Sequence, residues 1–200
     1  MLYGTVWCQI QFSKRIKQSG NIMNKAIIFD RDGVLNYTVQ RENEVTAPWT
    51  LKEFKMIPGS IEAVEMAKEL GYLALVATNQ PDVRDKKMKE EELEKINKSL
   101  QGWLHVDEIK YADDRDSNLY KPNTGMLDYY VEKYDLEREK CFMIGDRWKD
   151  IVAGRNAKMK TIFIGDYSNG IWPEEYKYIN PDFITDNVLS AVKIIGESND

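Results

Sequence analysis

The 200-residue sequence has few cysteines, a single histidine and no long hydrophobic run. Its two cysteines, Cys8 and Cys141, lie far apart with no cysteine or histidine beside them, which argues against a disulfide framework and fits a reducing, cytoplasmic compartment. The only histidine, His105, has no partner at a metal-ligand spacing, so a structural or surface role is favoured. No apolar run approaches the roughly 18 residues of a membrane-spanning helix, so we expect a soluble protein without a membrane partner.

The sequence also lacks a charge excess of either sign that would indicate a polymeric partner. Charged residues make up 30% of the chain, yet the net charge is only -5. This balance excludes both the basic excess of a protein that binds nucleic-acid phosphates and the composition of a disordered acidic tail. A small anionic substrate would therefore need local positive charge.

The length fits one compact domain with a buried sheet, which we expect to span residues 23–200. Residues 1–22 contain no long apolar centre followed by a small-residue cleavage site, so a signal peptide is not expected. We expect this stretch to be a poorly ordered, dispensable extension. Translation could begin at Met23, immediately before the first strand.

From residue 25 onward, short apolar runs alternate with longer segments of helical period. This pattern is typical of an α/β domain with a parallel sheet. The predicted strands are 26–29, 72–77, 107–112, 141–145, 161–165 and 182–185. The predicted helices are 60–70, 87–101, 122–134, 148–156 and one at the C-terminus, with Pro122 as the start of the third. The long connection 36–57 is predicted to fold as a flap.

Polar side chains follow four of the predicted strands at the point where each strand ends. In a doubly wound parallel sheet, ligands bind outside the carboxyl ends of the strands. The residues at these ends are Asp30 and Asp32, Thr78 and Asn79, and Asp146 with Asp150 one helical turn later. Lys121 lies at the end of the loop that follows the third strand. We therefore expect these side chains to meet at one edge of the sheet.

Carboxylates this close would repel one another unless a cation were bound. Hard oxygen ligands without histidine or cysteine indicate Mg²⁺, with Asp30 and Asp146 as ligands. The metal and a lysine would neutralise a bound phosphoryl group, so that the Asp30 carboxylate can attack its phosphorus and form an acyl phosphate. Asp32 could protonate the leaving alcohol and then deprotonate the hydrolytic water.

Four segments of the chain, FDRDGVLN, VATNQ, YKPNTGM and GDRWKDI, resemble the four motifs of the haloacid dehalogenase (HAD) superfamily and occur in the same order. Residues 25–164 are most similar to the subfamily that contains the heptose bisphosphate and histidinol-phosphate phosphatases. The resemblance implies a Rossmann-like doubly wound sheet with little or no cap domain. It also implies these roles: Asp30 as nucleophile, Asp32 as acid/base, Thr78 and Lys121 as phosphate ligands, and Mg²⁺ on Asp30, the Asp32 carbonyl and Asp146, supported by Asp150.

The sequence departs from this subfamily in the loop before Pro122. Relatives commonly carry a zinc loop of cysteines and a histidine before an Arg-Lys-Pro, whereas this chain has YADDRDSNLYKP. We therefore expect no structural zinc. Tyr120 stands in place of the arginine, so the positive charge that could contact a second acidic group must come from elsewhere, and Arg147, Arg31 and Arg84 are the candidates. The predicted substrate-binding residues are thus Thr78, Asn79, Lys121 and Arg147.

The expected function is Mg²⁺-dependent hydrolysis of a small phosphorylated metabolite, a sugar phosphate or bisphosphate of the heptose-bisphosphate or histidinol-phosphate type. One alternative is a nucleic-acid 3′-phosphatase, because such enzymes have a similar KP-x-TGM segment, but the acidic net charge argues against a nucleic-acid partner. The other is a non-catalytic phosphate-binding relative. Retention of both Asp30 and Asp32 argues against that alternative.

Overall fold

A computed structural model of the chain describes residues 24–167 and 172–198. The predicted extension, residues 1–22, therefore lies outside the described residues, as does Met23. No helix in the two described ranges has the length and apolar character needed to cross a membrane.

The fold is built around a sheet of six parallel strands. The strands of the chain are β1 (Ala26–Phe29), β2 (Val39–Gln40), β3 (Val45–Thr46), β4 (Leu73–Asn79), β5 (Glu108–Ala112), β6 (Phe142–Gly145), β7 (Lys160–Ile164) and β8 (Phe183–Thr185). The order in the parallel sheet is β5-β4-β1-β6-β7-β8. β2 and β3 form a separate antiparallel hairpin, which lies between β1 and β4 in sequence.

Helices cover both faces of the sheet. They are α1 (Ser60–Glu69), α2 (Pro81–Arg84), α3 (Glu90–Leu104), α4 (Gly125–Tyr134), α5 (Trp148–Asn156) and α6 (Val188–Glu197). Alternate residues of β1 point to opposite faces. Ile27 and Phe29 pack in the core that α1, α3 and α6 complete, whereas Ala26 and Ile28 pack in the core completed by α4 and α5. All four side chains are fully buried, which explains the unbroken apolar run of this strand.

The predicted fold class is confirmed: the chain forms a doubly wound parallel sheet with no sizeable cap domain in the described residues. The connection 36–57 contains only the short hairpin β2–β3. All six predicted strands occur, each within two residues of its predicted bounds. Because each strand ends where the sequence analysis expects, the polar residues that follow the strands reach the same edge of the sheet.

The helix predicted over 122–134 begins later than its proline suggests. α4 starts at Gly125. The backbone N–H and carbonyl of Lys121 are both bound by the Asn79 side chain, each at 2.9 Å, and the N–H of Gly125 donates to the carbonyl of Asn118 at 3.0 Å. The prediction that Pro122 starts the helix is therefore wrong, because this proline belongs to a closed loop that fixes Lys121.

The helix predicted over 87–101 lies three residues further along the chain, as α3. The N–H groups of Lys87 and Met88 both donate to the carbonyl of Asp82 at 2.9 Å, so these residues complete the turn that follows α2. At the other end, α3 continues until His105 adopts a left-handed conformation (φ 54°) that ends the helix.

Candidate active site

The carboxyl ends of the central strands open into a cleft of about 830 Å³. The first strand leads directly to Asp30, the adjacent β4 ends with Thr78 and Asn79, and β6 leads to Asp146. All eight residues predicted for the site line this one cleft: Asp30, Asp32, Thr78, Asn79, Lys121, Asp146, Arg147 and Asp150. The strand order therefore brings together residues that are up to 120 positions apart, as between Asp30 and Asp150.

Lys121 is the centre of the buried part of the cleft. Its side chain is 2% exposed, and its ammonium donates to Asp30 Oδ1 at 2.8 Å, to Asp150 Oδ1 at 2.5 Å and to the carbonyl of Ala77 at 2.7 Å. Burial alone would lower the pKa of Lys121, but the carboxylates of Asp150 and Asp30 outweigh this effect and raise the pKa above its usual value. Lys121 is therefore a permanent positive charge between two carboxylates.

Three carboxylates form a group that could hold a metal ion. Asp30, Asp146 and Asp150 each offer an oxygen within 4.8 Å of the others. Burial, together with the nearby charges of Asp30 and Asp150, raises the pKa of Asp146 well above its usual value. Burial also raises the pKa of Asp30 to about 6, against the opposing effect of Lys121. One lysine does not compensate three carboxylates, so the group retains excess negative charge.

Asp146 gives the clearest sign that this group fits a cation. Its Oδ1 is buried and has no hydrogen-bond partner among the residues that the structure describes. Buried carboxylate oxygens are normally satisfied by a donor or a metal. An all-oxygen set of this kind fits a hard divalent cation such as Mg²⁺.

Two glycines allow the carboxylates to approach the backbone. Gly33 has φ +95°, and a Cβ atom there would lie 2.1 Å from Asp146 Oδ2. A Cβ atom at Gly145 would lie 2.1 Å from the Cβ of Asp150. Any larger residue at either position would displace a carboxylate of the group.

The Asp32 side chain lies in a separate network beside this group. Arg31 donates to its two oxygens at 2.9 and 3.1 Å, Asn36 donates to Oδ1 at 2.8 Å, and Gln80 donates to Oδ2 at 2.5 Å. The same Gln80 amide donates to Thr78 Oγ1 at 2.9 Å. Three side chains therefore set the position of the Asp32 carboxylate, and Gln80 links it to Thr78.

Asn79, predicted to bind substrate, lies against the closed loop that contains Lys121. Its side-chain amide and carbonyl bond to the backbone carbonyl and N–H of Lys121, each at 2.9 Å. These bonds give Asn79 a role in placing Lys121, which the sequence analysis did not assign to it.

The three arginines considered as replacements for the missing charge at Tyr120 have different environments. Arg31 is fully buried and bound to Asp32 and Asn97. Arg84 forms an ion pair with Asp114 at 3.0 Å. Among the three, Arg147 is the one that lines the cleft, as an exposed residue immediately before α5.

Sequence reasoning missed Gln80, which donates to Asp32 and Thr78, and several residues that line the cleft. Gln80 and Lys149 stand inside the motifs VATNQ and GDRWKDI, so the position of each within its motif was the available signal. Burial, together with the nearby charges of Arg115 and Arg147, lowers the pKa of Lys149. Trp148, Phe163 and Trp172 also line the cleft. Trp148 lies inside GDRWKDI, whereas no sequence motif marks Phe163 or Trp172.

The connection 36–57 forms another wall of the cleft. Residues 44–47 line the cleft, and Glu44 pairs with Lys87 at 2.9 Å. Behind this wall, the Trp49 indole N–H donates to the buried Asp82 carboxylate at 2.7 Å. The hairpin is thus attached to the segment after β4 by one exposed and one buried contact.

Comparison with known proteins identifies relatives of the chain. A family model described as HAD-hydrolase-like matches residues 119–191. The D-glycero-β-D-manno-heptose-1,7-bisphosphate 7-phosphatase of Pasteurella multocida is 27% identical over 86% of this chain and 97% of its own. The enzyme of the same name from Helicobacter pylori (strain 26695) is 30% identical over 68% of this chain and 81% of its own.

Solved structures agree on the fold. The D,D-heptose 1,7-bisphosphate phosphatase from B. bronchiseptica, crystallised with magnesium and phosphate, has a TM-score of 0.70 at 22% identity and covers 87% of this chain and 99% of its own. A HAD phosphatase from Thermococcus onnurineus has a TM-score of 0.59 at 17% identity, over 86% and 98% of the two chains. The predicted resemblance is confirmed, and the chain is a phosphatase. It belongs to the family of the D-glycero-D-manno-heptose-1,7-bisphosphate 7-phosphatases, within the HAD-like hydrolases.

Proposed function

We propose that this phosphatase hydrolyses a phosphate ester of a sugar bisphosphate of the heptose-1,7-bisphosphate type, with Mg²⁺ as cofactor and Asp30 as nucleophile. The observation that carries the proposal is the buried contact of Lys121 with Asp30 and Asp150, beside the unpartnered Asp146 oxygen. This arrangement supplies a carboxylate nucleophile and the positive charge to accept a phosphoryl group. The substrate class is supported by the names of the relatives, several of which act on heptose 1,7-bisphosphate.

Mg²⁺ would be held by the carboxylates of Asp30, Asp146 and Asp150, and by the carbonyl of Asp32. The unpartnered Oδ1 of Asp146 and the all-oxygen composition of the group support this assignment. When bound, the ion supplies Lewis-acid stabilisation of the phosphoryl oxygens.

In the first step, the Asp30 carboxylate attacks phosphorus as the ester oxygen leaves, which forms an acyl phosphate on Asp30. Asp32 donates the proton that converts the leaving oxygen to an alcohol. Lys121 and Thr78 bind the phosphoryl oxygens and offset their negative charge. The Thr78 oxygen accepts its hydrogen bond from Gln80, so the hydroxyl proton is available to the phosphoryl group.

In the second step, Asp32 takes a proton from water as that water attacks the acyl phosphate. The P–O bond to Asp30 breaks, inorganic phosphate leaves and the Asp30 carboxylate is restored. The same group can serve both steps because the first step leaves it deprotonated. The hydrogen bonds to Asp32 from its three neighbours keep its position constant between the steps.

The test is phosphate release from purified protein, with and without Mg²⁺. The substrates are both anomers of heptose 1,7-bisphosphate, histidinol phosphate and a 3′-phosphorylated oligonucleotide. We expect Mg²⁺-dependent release that is fastest with a heptose bisphosphate, and that falls by about 10²- to 10⁴-fold in Asp32→Asn. Preference for the oligonucleotide would contradict the proposed substrate. Release from none of the compounds, with Mg²⁺ still bound, would contradict the proposed reaction.

A further inference from the structure

The cationic side chains around the cleft differ in whether a carboxylate neutralises them. Lys87 pairs with Glu44 at 2.9 Å. Arg115 forms a two-bond pair with Asp85 at 2.7 and 2.8 Å. Charge-assisted bonds of this kind use the charge within the protein, so these two side chains add little attraction for a ligand.

Lys149 and Arg147 differ from these pairs. Both line the cleft, and neither side chain forms an ion pair with a carboxylate in ranges 24–167 and 172–198. The Lys149 ammonium instead lies 4.9 Å from the centre of the Tyr120 ring and 5.6 Å from that of Trp148. Aromatic faces attract an ammonium group without cancelling its charge. This part of the cleft therefore carries uncompensated positive charge, which concentrates anions.

Lys149 lies next to the place where Lys121 would bind the reacting phosphoryl group. Lys121 and Asp150 are in contact at 2.5 Å. Tyr120 and Lys149, the residues that immediately precede them, form the neighbouring contact between the same two segments. An anion bound at Lys149 would lie beside a phosphoryl group bound at Lys121, in the same cleft.

We infer that Lys149, together with Arg147, is the subsite for the second, non-reacting phosphoryl group of a bisphosphate substrate. Tyr120 offers no positive charge of its own, and its ring attracts the Lys149 ammonium. This inference rests on the proposed function and adds a specificity-determining residue to it. It makes the chain selective for bisphosphates over monophosphates of the same sugar.

The test compares kcat/KM for heptose 1,7-bisphosphate with that for heptose 7-phosphate, which lacks the second group. Lys149→Met removes the charge and keeps the aliphatic side chain, whereas Lys149→Arg keeps the charge. Lys193→Met, on the exposed face of α6, is the matched control for loss of a surface lysine. We expect Lys149→Met to lower kcat/KM for the bisphosphate by about tenfold or more and to change that for the monophosphate by less than about twofold.

Lys149→Arg should recover most of the bisphosphate activity, and Lys193→Met should match the wild type with both substrates. Equal losses on the two substrates, or no loss on either, would overturn the subsite. If the wild type turns over neither compound, the proposed function fails separately, and calorimetric titration of the two compounds tests the subsite. Weaker binding of the bisphosphate alone in Lys149→Met supports the subsite, and unchanged binding overturns it.

Discussion

The inner and outer parts of the cleft are built in different ways. The inner part, Asp30, Lys121 and Asp150, is at most 7% exposed and is held by the end of β1, by the closed loop around Lys121 and by the first turn of α5. The outer part consists of the hairpin, the segment 113–120 and residues 147–149, and its ion pairs are exposed, as between Glu44 and Lys87. Core packing thus fixes the groups that we propose for the chemistry, while surface loops carry the groups that we propose for distinguishing substrates.

The difference has an energetic basis. A buried charge is costly unless it is paired, so each inner group depends on its neighbours and any change there has a large effect. Exposed ion pairs contribute little to stability, so the outer walls can change sequence without loss of the fold. Substitutions in the two parts should therefore differ in the size of their effect on activity and in the kinetic constant that they alter.

The largest effect is expected for Asp30→Asn in the inner part. This change removes the proposed nucleophile but keeps a group that can accept a hydrogen bond from Lys121, so we expect phosphate release to fall by at least about 10⁴-fold. Circular dichroism and the melting temperature show whether the fold is intact. A variant that folds and retains more than a few per cent of activity would contradict the assignment.

Removal of the metal should have the next largest effect. A chelator should abolish phosphate release, and Mg²⁺ should restore it. Because a ligand that binds only the folded state stabilises it, Mg²⁺ should also raise the melting temperature of the wild type. In Asp146→Asn the Mg²⁺ concentration needed for either effect should rise by at least about tenfold. An unchanged Mg²⁺ requirement in this variant would exclude Asp146 as a ligand.

Asn79→Ala tests the support of the inner part and should have an intermediate effect. The substitution removes both hydrogen bonds that hold the Lys121 backbone. We expect a loss of kcat of about tenfold and a decrease in the free energy of unfolding of about 1–3 kcal/mol. Asn79→Asp keeps the acceptor for the Lys121 N–H and is the matched comparison. We expect its kcat and its free energy of unfolding to lie between those of the wild type and those of Asn79→Ala. Wild-type kcat in Asn79→Ala would mean that the loop holds Lys121 unaided.

Trp49→Phe tests the outer part and should have the smallest effect. The change removes the N–H that donates to the buried Asp82 carboxylate at 2.7 Å, which should cost about 1–2 kcal/mol of stability. Because the hairpin lines the cleft but does not reach the inner part, we expect KM to rise by about threefold with kcat unchanged. A fall in kcat of the size expected for Asn79→Ala would show that the two parts are coupled.

The inner part could be predicted from sequence because strong local signals mark it. Apolar strands such as 26–29 end abruptly in acidic or hydroxyl residues, and sheet topology then brings those ends together. The network of Gln80 and Asn36 around Asp32 could not be predicted, since it depends on side-chain directions set by packing. The helix start at Pro122 was wrong for a related reason: a tertiary bond from Asn79 outweighed the local preference of proline.

The outer part was less predictable because charge pairing there is a property of the folded surface. The sequence does not distinguish the three candidate arginines. In the structure Arg31 is buried, Arg84 is paired with Asp114, and Arg147 lines the cleft. The position of Lys149 inside GDRWKDI indicates only that it lies near the site. Its contact with Tyr120 could not be predicted, because Tyr120 comes from a segment 29 residues away.

The central claim, that Asp30 carries the phosphoryl group during turnover, can be tested by trapping that group. Wild type and Asp32→Asn are mixed with substrate labelled in the reacting phosphate, quenched in acid and digested, and the labelled peptide is identified by mass spectrometry. We predict hydroxylamine-sensitive label on the peptide that contains Asp30, with more label in Asp32→Asn because that variant lacks the base for hydrolysis. Phosphate release by the wild type with no label on that peptide in either protein would contradict the account.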